Sequence, residues 1–302
     1  MNNNILYGLT VLIWGTTWIA INYQLGNVAP EVSVVYRFAL ASLILFSWAK
    51  FKKLPLNFSL RYHLNFIGLG VTLFGINYFL LYNAQQHINS ALAATAFSTL
   101  MIFNIINARF WYKTPIGKQV YLGAGLGLVG IVTLFWPQIT SAEYGQATLL
   151  GLGLCLVGTL SASMGNMVSI KNQQLKLPVL QTNAWAMMYG SIFMTFVAVF
   201  SGDSFTFDFS FAYISSLIYL ALFGSVIAFG CYLTLMTRIG AHKTSYANIL
   251  FPAVAVVIST FVEDFQWSIF TVVGFGSILL GNLVILTKPK SIKKTEKITA
   301  TA

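Results

Sequence analysis

Charged residues are scarce in this sequence. Only 8% of its 302 residues are Asp, Glu, Lys or Arg, whereas 57% are hydrophobic and the mean hydropathy is +0.76. About a quarter of the residues in a soluble domain are charged, so this composition excludes a soluble domain. A net charge of +10 would suggest nucleic acid as the partner of a soluble chain, but in a membrane protein the position of basic residues matters more. We therefore expect an integral membrane protein in contact with the lipid bilayer, with no nucleic-acid partner.

Cysteine and histidine are almost absent. Cys155 and Cys231 each lie in an apolar run without a second cysteine or histidine nearby, which excludes a disulfide framework and favours small core residues. His63, His87 and His242 fall in loops or at span ends, and no pair has metal-ligand spacing. No Ser-His-Asp arrangement or pair of buried carboxylates accompanies them. The sequence predicts neither an enzyme nor a site for a metal or cofactor.

Glycines form one motif that resembles a nucleotide fingerprint. Gly125, Gly127 and Gly130 make a GxGxxG, but the preceding strand and the ribose-binding acid that a dinucleotide site needs are missing. Gly123 and Gly127 also form a GxxxG, which is typical of closely packed membrane helices. We interpret these glycines as a packing surface, either within the chain or in a homodimer through the Gly-rich helices.

Long apolar runs dominate the rest of the chain. A span needs about 20 mostly apolar residues. The first run lacks a basic leader segment and a cleavage site, so we interpret it as a retained span. By length and composition, the predicted spans are 4–22, 31–49, 64–83, 89–109, 119–136, 147–170, 179–200, 211–236, 243–262 and 267–287.

Basic residues lie on one side of these spans. Sixteen of the 17 fall in alternate loops or in the tail at 288–302, and Arg37 is the exception. Because positive residues mark the cytoplasmic side, both termini are predicted to be cytoplasmic, in a multi-pass protein of the cell inner (plasma) membrane. Six of the seven acids fall on the opposite side.

The two halves of the chain resemble each other. At an offset of 151, Gly123 matches Gly274 and Gly130 matches Gly281, while the letters LFG recur at 73–75 and 222–224. Repeats with an odd number of spans insert in opposite orientations. The predicted fold is all-α, with ten transmembrane helices in two inverted five-helix repeats over 1–136 and 147–287, followed by a basic cytoplasmic tail at 288–302.

The second half carries the motifs of a known family. The segment 238–286 resembles the closing segment of the EamA-type drug/metabolite transporters, and IWGTTW at 13–18 and YRFALASLI at 36–44 resemble motifs of the first two spans of that family. In the first half, Met101 and Tyr112 replace the Pro and Glu often found there. The resemblance implies a central substrate cavity and export of amino acids or other small metabolites. The family pattern of the second half is matched by Ala241, Pro252, Glu263, Gly274 and Gly281.

Several polar or aromatic residues near mid-depth share helix faces and are candidates for substrate contact. Each also suits an interhelical hydrogen bond or plain packing, but as a set we expect them to line a cavity. No Asp or Glu lies at mid-depth, so the expected substrate is neutral or zwitterionic and not a permanent cation. The candidates are Trp14, Thr17, Trp18, Asn77, Tyr78, Thr95, Ser98, Asn166, Tyr232, Ser245 and Asn248.

The predicted function is that of a secondary transporter that exports small neutral or zwitterionic metabolites, with amino acids foremost, by alternating access. Two alternatives stay open. The first is an exporter of nucleosides or hydrophobic drugs. The second is a membrane protein that binds a small molecule without transporting it.

Arg37 is the one charge that lies away from the ends of the predicted spans. It lies roughly 9 Å below the outer end of the second span, at a rise of 1.5 Å per residue. Glu31, six positions earlier, faces nearly the opposite side of the helix. We expect Arg37 to tie the second span to the ninth or tenth through Glu263 or Asp264, in a structural or gating role that also includes the Pro252 kink.

Overall fold

The computed structural model describes residues 2–141, 145–239, 244 and 247–286, and this part of the chain contains helices and no strands. Seven of the helices are continuous, and three are interrupted within one rod. The continuous helices are α1 (Asn3–Asn22), α2 (Pro30–Phe51), α5 (Lys118–Ile139), α6 (Gly145–Gln174), α7 (Val179–Ser201), α9 (Ala247–Val262) and α10 (Ile269–Leu286). The interrupted ones are α3 (Leu60–Leu69, Gly70–Ile76, Asn77–Ala84), α4 (Ser90–Phe97, Leu100–Tyr112) and α8 (Phe211–Tyr219, Leu220–Ile227, Ala228–Ile239).

Within the described residues, nine helices are long and apolar enough to cross a membrane, and α9 is a shorter apolar helix. The predicted spans coincide with these helices, and the described ends agree to within four residues. The all-helical, multi-pass membrane class is therefore confirmed. The predicted tail at 288–302 lies outside the described residues, as do Ala241 and His242.

Local sequence signals explain where several helices begin and end. The Asn89 side chain accepts a hydrogen bond from the backbone N–H of Leu92 (2.9 Å), and so caps the N-terminus of α4. Pro30 occupies the first turn of α2, where its missing N–H costs nothing. Gly202 ends α7 with a φ of 78°, a left-handed conformation that favours glycine. These signals lie in the sequence and need no tertiary contacts.

The two ends of the helix bundle carry opposite charges. Glu31, Asp203, Asp208, Glu263 and Asp264 lie at one end, which we call the acidic end. At the other, basic end, Arg238 donates a hydrogen bond to Asn3 next to the N-terminus. The basic end also holds Lys50, Lys52, Lys53, Arg61, Arg109, Lys113, Lys118, Lys171 and Lys176.

Helices α5 and α10 pack closely through the glycines that the sequence singled out. A Cβ added to Gly130 would lie 2.6 Å from the carbonyl oxygen of Gly274, and one added to Gly123 would lie 2.4 Å from that of Gly281. Both distances are far below van der Waals contact, so only glycine permits this approach. The pairing lies within the chain; the homodimer stays a prediction.

Three helices depart from regular α geometry near mid-depth. Helix α4 is interrupted at Ser98 and Thr99, whose hydroxyls donate to the carbonyl oxygens of Thr95 (2.6 Å) and Ala96 (2.8 Å). Such bonds compete with the helical ladder. Helices α3 and α8 contain π-helical turns at Gly70–Ile76 and Leu220–Ile227, and each of these holds one copy of LFG. π-Helical turns are rare in proteins, and those that occur often lie at functional sites.

Candidate functional site

A cavity of about 100 Å³ lies at the centre of the described helices. Six helices, α1, α3, α4, α6, α8 and α9, contribute to its wall. The lining residues are Trp14, Thr17, Trp18, Ile21, Leu73, Asn77, Tyr78, Leu81, Phe97, Leu100, Ala162, Asn166, Phe229, Tyr232, Asn248 and Phe251. We call this space the central cavity.

Aromatic rings form much of the cavity wall. The Trp14 ring lies 4.9 Å from Tyr232, measured between ring centroids, and 6.3 Å from Phe251. Trp18 lies 5.3 Å from Phe97 and stacks on Phe251 at 6.3 Å. The indole N–H of Trp14 donates to the carbonyl oxygen of Gly224 (3.3 Å), so its polar atom is satisfied while the ring forms part of the cavity wall.

Asn77 is the most informative polar residue of the cavity. It directly follows the π-helical turn of α3, and its side chain is only 2% exposed. Its Nδ2 donates to the carbonyl oxygen of Leu73 (3.2 Å), while its Oδ1 has no hydrogen-bond partner. A buried acceptor without a partner is costly, and of the described residues with such an atom only Asn77 lines the central cavity. Asn77 therefore places an acceptor without a partner beside the central cavity.

Two further amides lie in this wall. Asn166 of α6 donates to Oδ1 of Asn104 (3.2 Å), which joins α6 to α4. Asn248 of α9 is 8% exposed and lies one turn before Pro252. Helix α9 continues through Pro252, and the proline removes one N–H from its hydrogen-bond ladder.

Eight of the residues predicted to contact substrate line the central cavity: Trp14, Thr17, Trp18, Asn77, Tyr78, Asn166, Tyr232 and Asn248. Thr95 and Ser98 do not. The Thr95 hydroxyl bonds to the carbonyl oxygen of Ala91 (2.7 Å) and that of Ser98 to Thr95, so both are used within α4. Ser245 lies outside the described residues. The substrate role of all eleven stays a prediction.

The sequence reasoning missed the apolar part of the wall. Phe97, Leu100, Phe229 and Phe251 line the cavity but resemble any other apolar residue of a span. The internal repeat contained a signal for some of them. At the offset of 151, the mate of Phe97 is the candidate Asn248, and the mate of Leu100 is Phe251.

The predicted pairing of Arg37 with Glu263 or Asp264 is wrong. Arg37 contacts α3 and α8, not α9 or α10: its Nε donates to the Ser225 hydroxyl (3.2 Å), and its Nη1 to the Tyr82 hydroxyl (3.3 Å). The π-helical turn of α8 brings Ser225 towards α2, an arrangement that a regular helix pattern does not predict.

Glu263 instead joins three helices at the acidic end. Its carboxylate accepts hydrogen bonds from Asn22 at the end of α1 and from Ser259 of α9. It also accepts from the hydroxyl (2.5 Å) and the backbone N–H (3.3 Å) of Ser90, at the start of α4. We call this group the Glu263 cluster. The neighbouring Asp264 is exposed and ends the helix region with a φ of 51°.

Towards the basic end, the central cavity adjoins a second space of about 390 Å³, which we call the vestibule. Leu73, Asn166, Phe229 and Tyr232 line both. The vestibule extends to the connection between α4 and α5 at 114–119. In the described conformer, a route therefore leads from the central cavity through the vestibule to the basic end. At the acidic end, the Glu263 cluster joins helices.

Known proteins resemble this chain over most of its length. The chain is 28% identical to the uncharacterized inner membrane transporter YedA of Escherichia coli K12 over 291 residues, which covers 92% of this chain and 90% of the relative. It is 24% identical to the uncharacterized transporter YoaV of Bacillus subtilis, with 81% and 82% covered. A solved crystal structure matches with a TM-score of 0.68 at 14% identity, over 93% of this chain and 95% of the other, which supports the fold alone.

A family model matches the chain twice, over residues 3–136 and 149–287. The two matches together cover most of the sequence, and they confirm the resemblance inferred from its motifs. The chain belongs to the EamA-like transporter family.

Proposed function

We propose that this protein is a secondary transporter that exports small neutral or zwitterionic metabolites, with amino acids foremost, by alternating access. The observation that carries the proposal is the one-sided route: the central cavity adjoins the vestibule at the basic end, and the Glu263 cluster joins helices at the acidic end. Alternating access requires a site that opens to one side at a time.

The proposal includes ten spans in two inverted repeats, with the basic end in the cytoplasm. If the two halves are exchanged, each helix of the first half takes the place of the helix five positions later in the chain, so α1 corresponds to α6 and α4 to α9. Under this exchange the α1–α9 contact maps onto α6–α4, the α3–α6 contact onto α8–α1, and the α3–α7 contact onto α8–α2; each of these pairs is in contact. The α2–α7 and α5–α10 pairs map onto themselves. This pattern supports an inverted repeat, and the positive-inside rule supports the orientation.

The wall of the cavity supports the substrate class. None of its lining residues is an acid or a base, so a permanent cation would find no counter-charge there. Its indole and phenyl faces and its amides suit a small ligand with both apolar and polar groups. Aromatic faces also suit the planar bases of nucleosides, so the closest alternative substrate is a nucleoside.

Counterflow in proteoliposomes tests the proposal directly. Reconstituted protein, preloaded with unlabelled amino acid, is expected to take up the same radiolabelled amino acid, and a nucleoside panel is measured in parallel. Flux of nucleosides alone would favour the alternative exporter. Ligand binding without flux of any compound would favour the non-transporting alternative.

Substitution of one cavity tryptophan tests the position of the site. Trp14→Ala removes a ring that faces the cavity, and we expect flux to fall at least about tenfold, as for loss of an aromatic anchor. Trp136→Ala is the matched control because Trp136 is 51% exposed on α5 and does not line the cavity. Equal flux in the two variants would show that the substrate does not pass Trp14.

A further inference from the structure

Arg37 is a buried cation whose hydrogen bonds go only to uncharged groups. Its side chain is 1% exposed, and its two hydrogen bonds go to the hydroxyls of Ser225 and Tyr82. The Tyr78 ring covers the guanidinium, with 4.4 Å between Cζ and the ring centroid. Within the described residues, Nη2 makes no hydrogen bond.

A cation inside a membrane protein normally has an anionic partner, because burial of an unpaired charge is costly. Within the described residues no acid pairs with Arg37, although Oδ2 of Asp203, at the end of α7, is buried without a hydrogen-bond partner. Glu263 belongs to its cluster, and Asp208 accepts from Asn27 and Ser210. Tyrosine faces and hydroxyls reduce the cost for Arg37 but do not neutralise its charge.

Only a thin wall separates Arg37 from the central cavity. A Cβ added to Gly224 would lie 3.3 Å from Nη2 of Arg37 and 2.8 Å from the methyl carbon of Thr17, which lines the cavity. The absence of a side chain at Gly224 therefore leaves the guanidinium directly behind the cavity wall. The Tyr78 ring that covers the guanidinium also lines the cavity.

An acceptor without a partner also lies beside the central cavity. Oδ1 of Asn77, next to Tyr78 on α3, is buried without a partner. A cationic donor behind the cavity wall and a neutral acceptor beside the cavity match a ligand that carries a carboxylate and an ammonium group. We propose that Arg37 binds the carboxylate of a zwitterionic substrate, that Asn77 accepts a hydrogen bond from its ammonium group, and that the Tyr78 side chain moves aside to admit the carboxylate.

This inference rests on the proposed function and narrows it, since an uncharged metabolite would not need Arg37. It also differs from a purely structural role, in which Arg37 would only hold α2, α3 and α8 together. A structural arginine stabilises the protein whatever the ligand. A binding arginine discriminates between ligands that differ only in the carboxylate.

The decisive experiment compares ligands on the wild-type protein in lipid nanodiscs. Isothermal titration calorimetry measures binding of neutral L-amino acids from alanine to phenylalanine and of the matching L-amino-acid amides, which keep the amine and lose the carboxylate. We expect each amide that binds to do so at least about tenfold more weakly than its amino acid. Equal affinities would overturn the role of Arg37 and leave transport of small metabolites intact. Binding of neither series would overturn the proposed substrate class itself, and this inference with it.

A substitution then assigns the discrimination to one residue. In Arg37→Gln the affinity for amino acids is expected to fall to that of the amides, and the affinity for the amides to stay unchanged. Arg61→Gln, at an exposed arginine of the basic end, should keep the wild-type discrimination. An equal loss for both ligand series in Arg37→Gln would show a structural role and overturn the proposal. If this variant fails to fold, the wild-type comparison still decides.

Discussion

Two buried amides allow the role of an unpaired polar atom to be compared inside and outside the central cavity. Asn77 and Asn282 are both almost fully buried, and each has one side-chain atom without a hydrogen-bond partner. Asn77 lines the central cavity, whereas Asn282 lies on α10 away from it. The same cost of burial is thus present at one site that faces the cavity and at one that does not.

This contrast gives the first prediction. Asn77→Leu replaces an unsatisfied amide by an apolar side chain of similar size, so the unfolding temperature should stay the same or rise, because an unpaired buried polar group costs about 1–3 kcal/mol. Flux in proteoliposomes should nevertheless fall at least about tenfold, since the free acceptor is lost. Asn282→Leu should show the same stability and wild-type flux. Equal flux in both variants would remove Asn77 from the site.

A second residue-scale prediction concerns pH. Asp208, in the connection between α7 and α8, accepts hydrogen bonds from the backbone N–H of Ser210 (2.8 Å) and from Asn27 (3.0 Å). These bonds hold the pKa of its carboxyl below the ordinary value. Because the folded-state pKa is the lower one, the stabilisation is complete above the unfolded pKa of about 3.9 and is lost as pH falls through the folded pKa.

Thermal unfolding of wild type and Asp208→Asn between pH 7 and pH 3 checks this. The wild type should be slightly more stable at pH 7, and the difference should become smaller towards pH 3, because the Asp208 carboxylate begins to gain a proton there and asparagine has none to gain. A difference that is constant across the range would contradict the prediction.

The sequence predicted the polar part of the cavity wall better than the apolar part. Asn77, Asn166 and Asn248 stand out because amides are uncommon in apolar spans. Phe229 and Phe251 do not stand out, since an aromatic residue that faces lipid and one that faces a cavity are chemically the same in the sequence. The contacts of Arg37 were mispredicted because the sequence offered acids as partners and gave no sign that Ser225 would lie beside it.

At the scale of helices, the glycine pairs of α5 and α10 support a third prediction. In Gly130→Val, the new side chain would begin 2.6 Å from the carbonyl oxygen of Gly274 and 2.9 Å from the backbone nitrogen of Ile278. Backbone atoms cannot move aside cheaply, so we expect a loss of about 2–3 kcal/mol or failure to fold.

Gly125→Val on the same helix is the matched control because a Cβ there has no neighbour within 4 Å. Both variants carry the same cost of a β-branched residue in a helix. Unfolding in a denaturing detergent titration measures the difference between them. Equal stability would show that α5 and α10 do not pack through these glycines.

The irregular turns show the limit of sequence reasoning for helices. Hydrophobic runs of span length predicted where the helices lie, since that pattern depends only on local composition. The π-helical turns at Gly70–Ile76 and Leu220–Ile227 left no such pattern, although LFG recurs in both. In the first half, Met101 stands at the position that corresponds to Pro252 in the second half. Helix α4 is interrupted close to this position by the hydroxyl groups of Ser98 and Thr99, whereas α9 is altered by Pro252.

At the scale of the whole molecule, the two ends of the bundle are held differently. At the acidic end, the carboxylate of Glu263 accepts hydrogen bonds from residues of α1, α4 and α9. Its repeat mate Tyr112, at the offset of 151, donates a single hydrogen bond to the carbonyl oxygen of Met167 (2.6 Å) towards the basic end. Because more bonds must break at the acidic end, we expect the conformer open to the basic end to predominate without substrate.

The fourth prediction follows from this difference. Glu263→Ala removes all the bonds of the Glu263 cluster, and the equilibrium should shift towards a conformer that opens at the acidic end. The reporter is Ala162→Cys in the cavity wall, in a protein whose Cys155 and Cys231 are replaced by serine. A membrane-impermeant maleimide added from the acidic side should label this cysteine at least about tenfold faster in Glu263→Ala than in the protein that retains Glu263.

Asp264→Asn provides the control for a change of charge at the same end. Asp264 is exposed and has a φ of 51°, a conformation that asparagine also adopts readily, so the substitution removes a charge without strain. Labelling from the acidic side should then stay at the level of the parent protein. If Glu263→Ala and Asp264→Asn accelerate labelling equally, the effect comes from charge at the acidic end and not from the bonds of the Glu263 cluster. If neither does, these bonds do not hold that end closed.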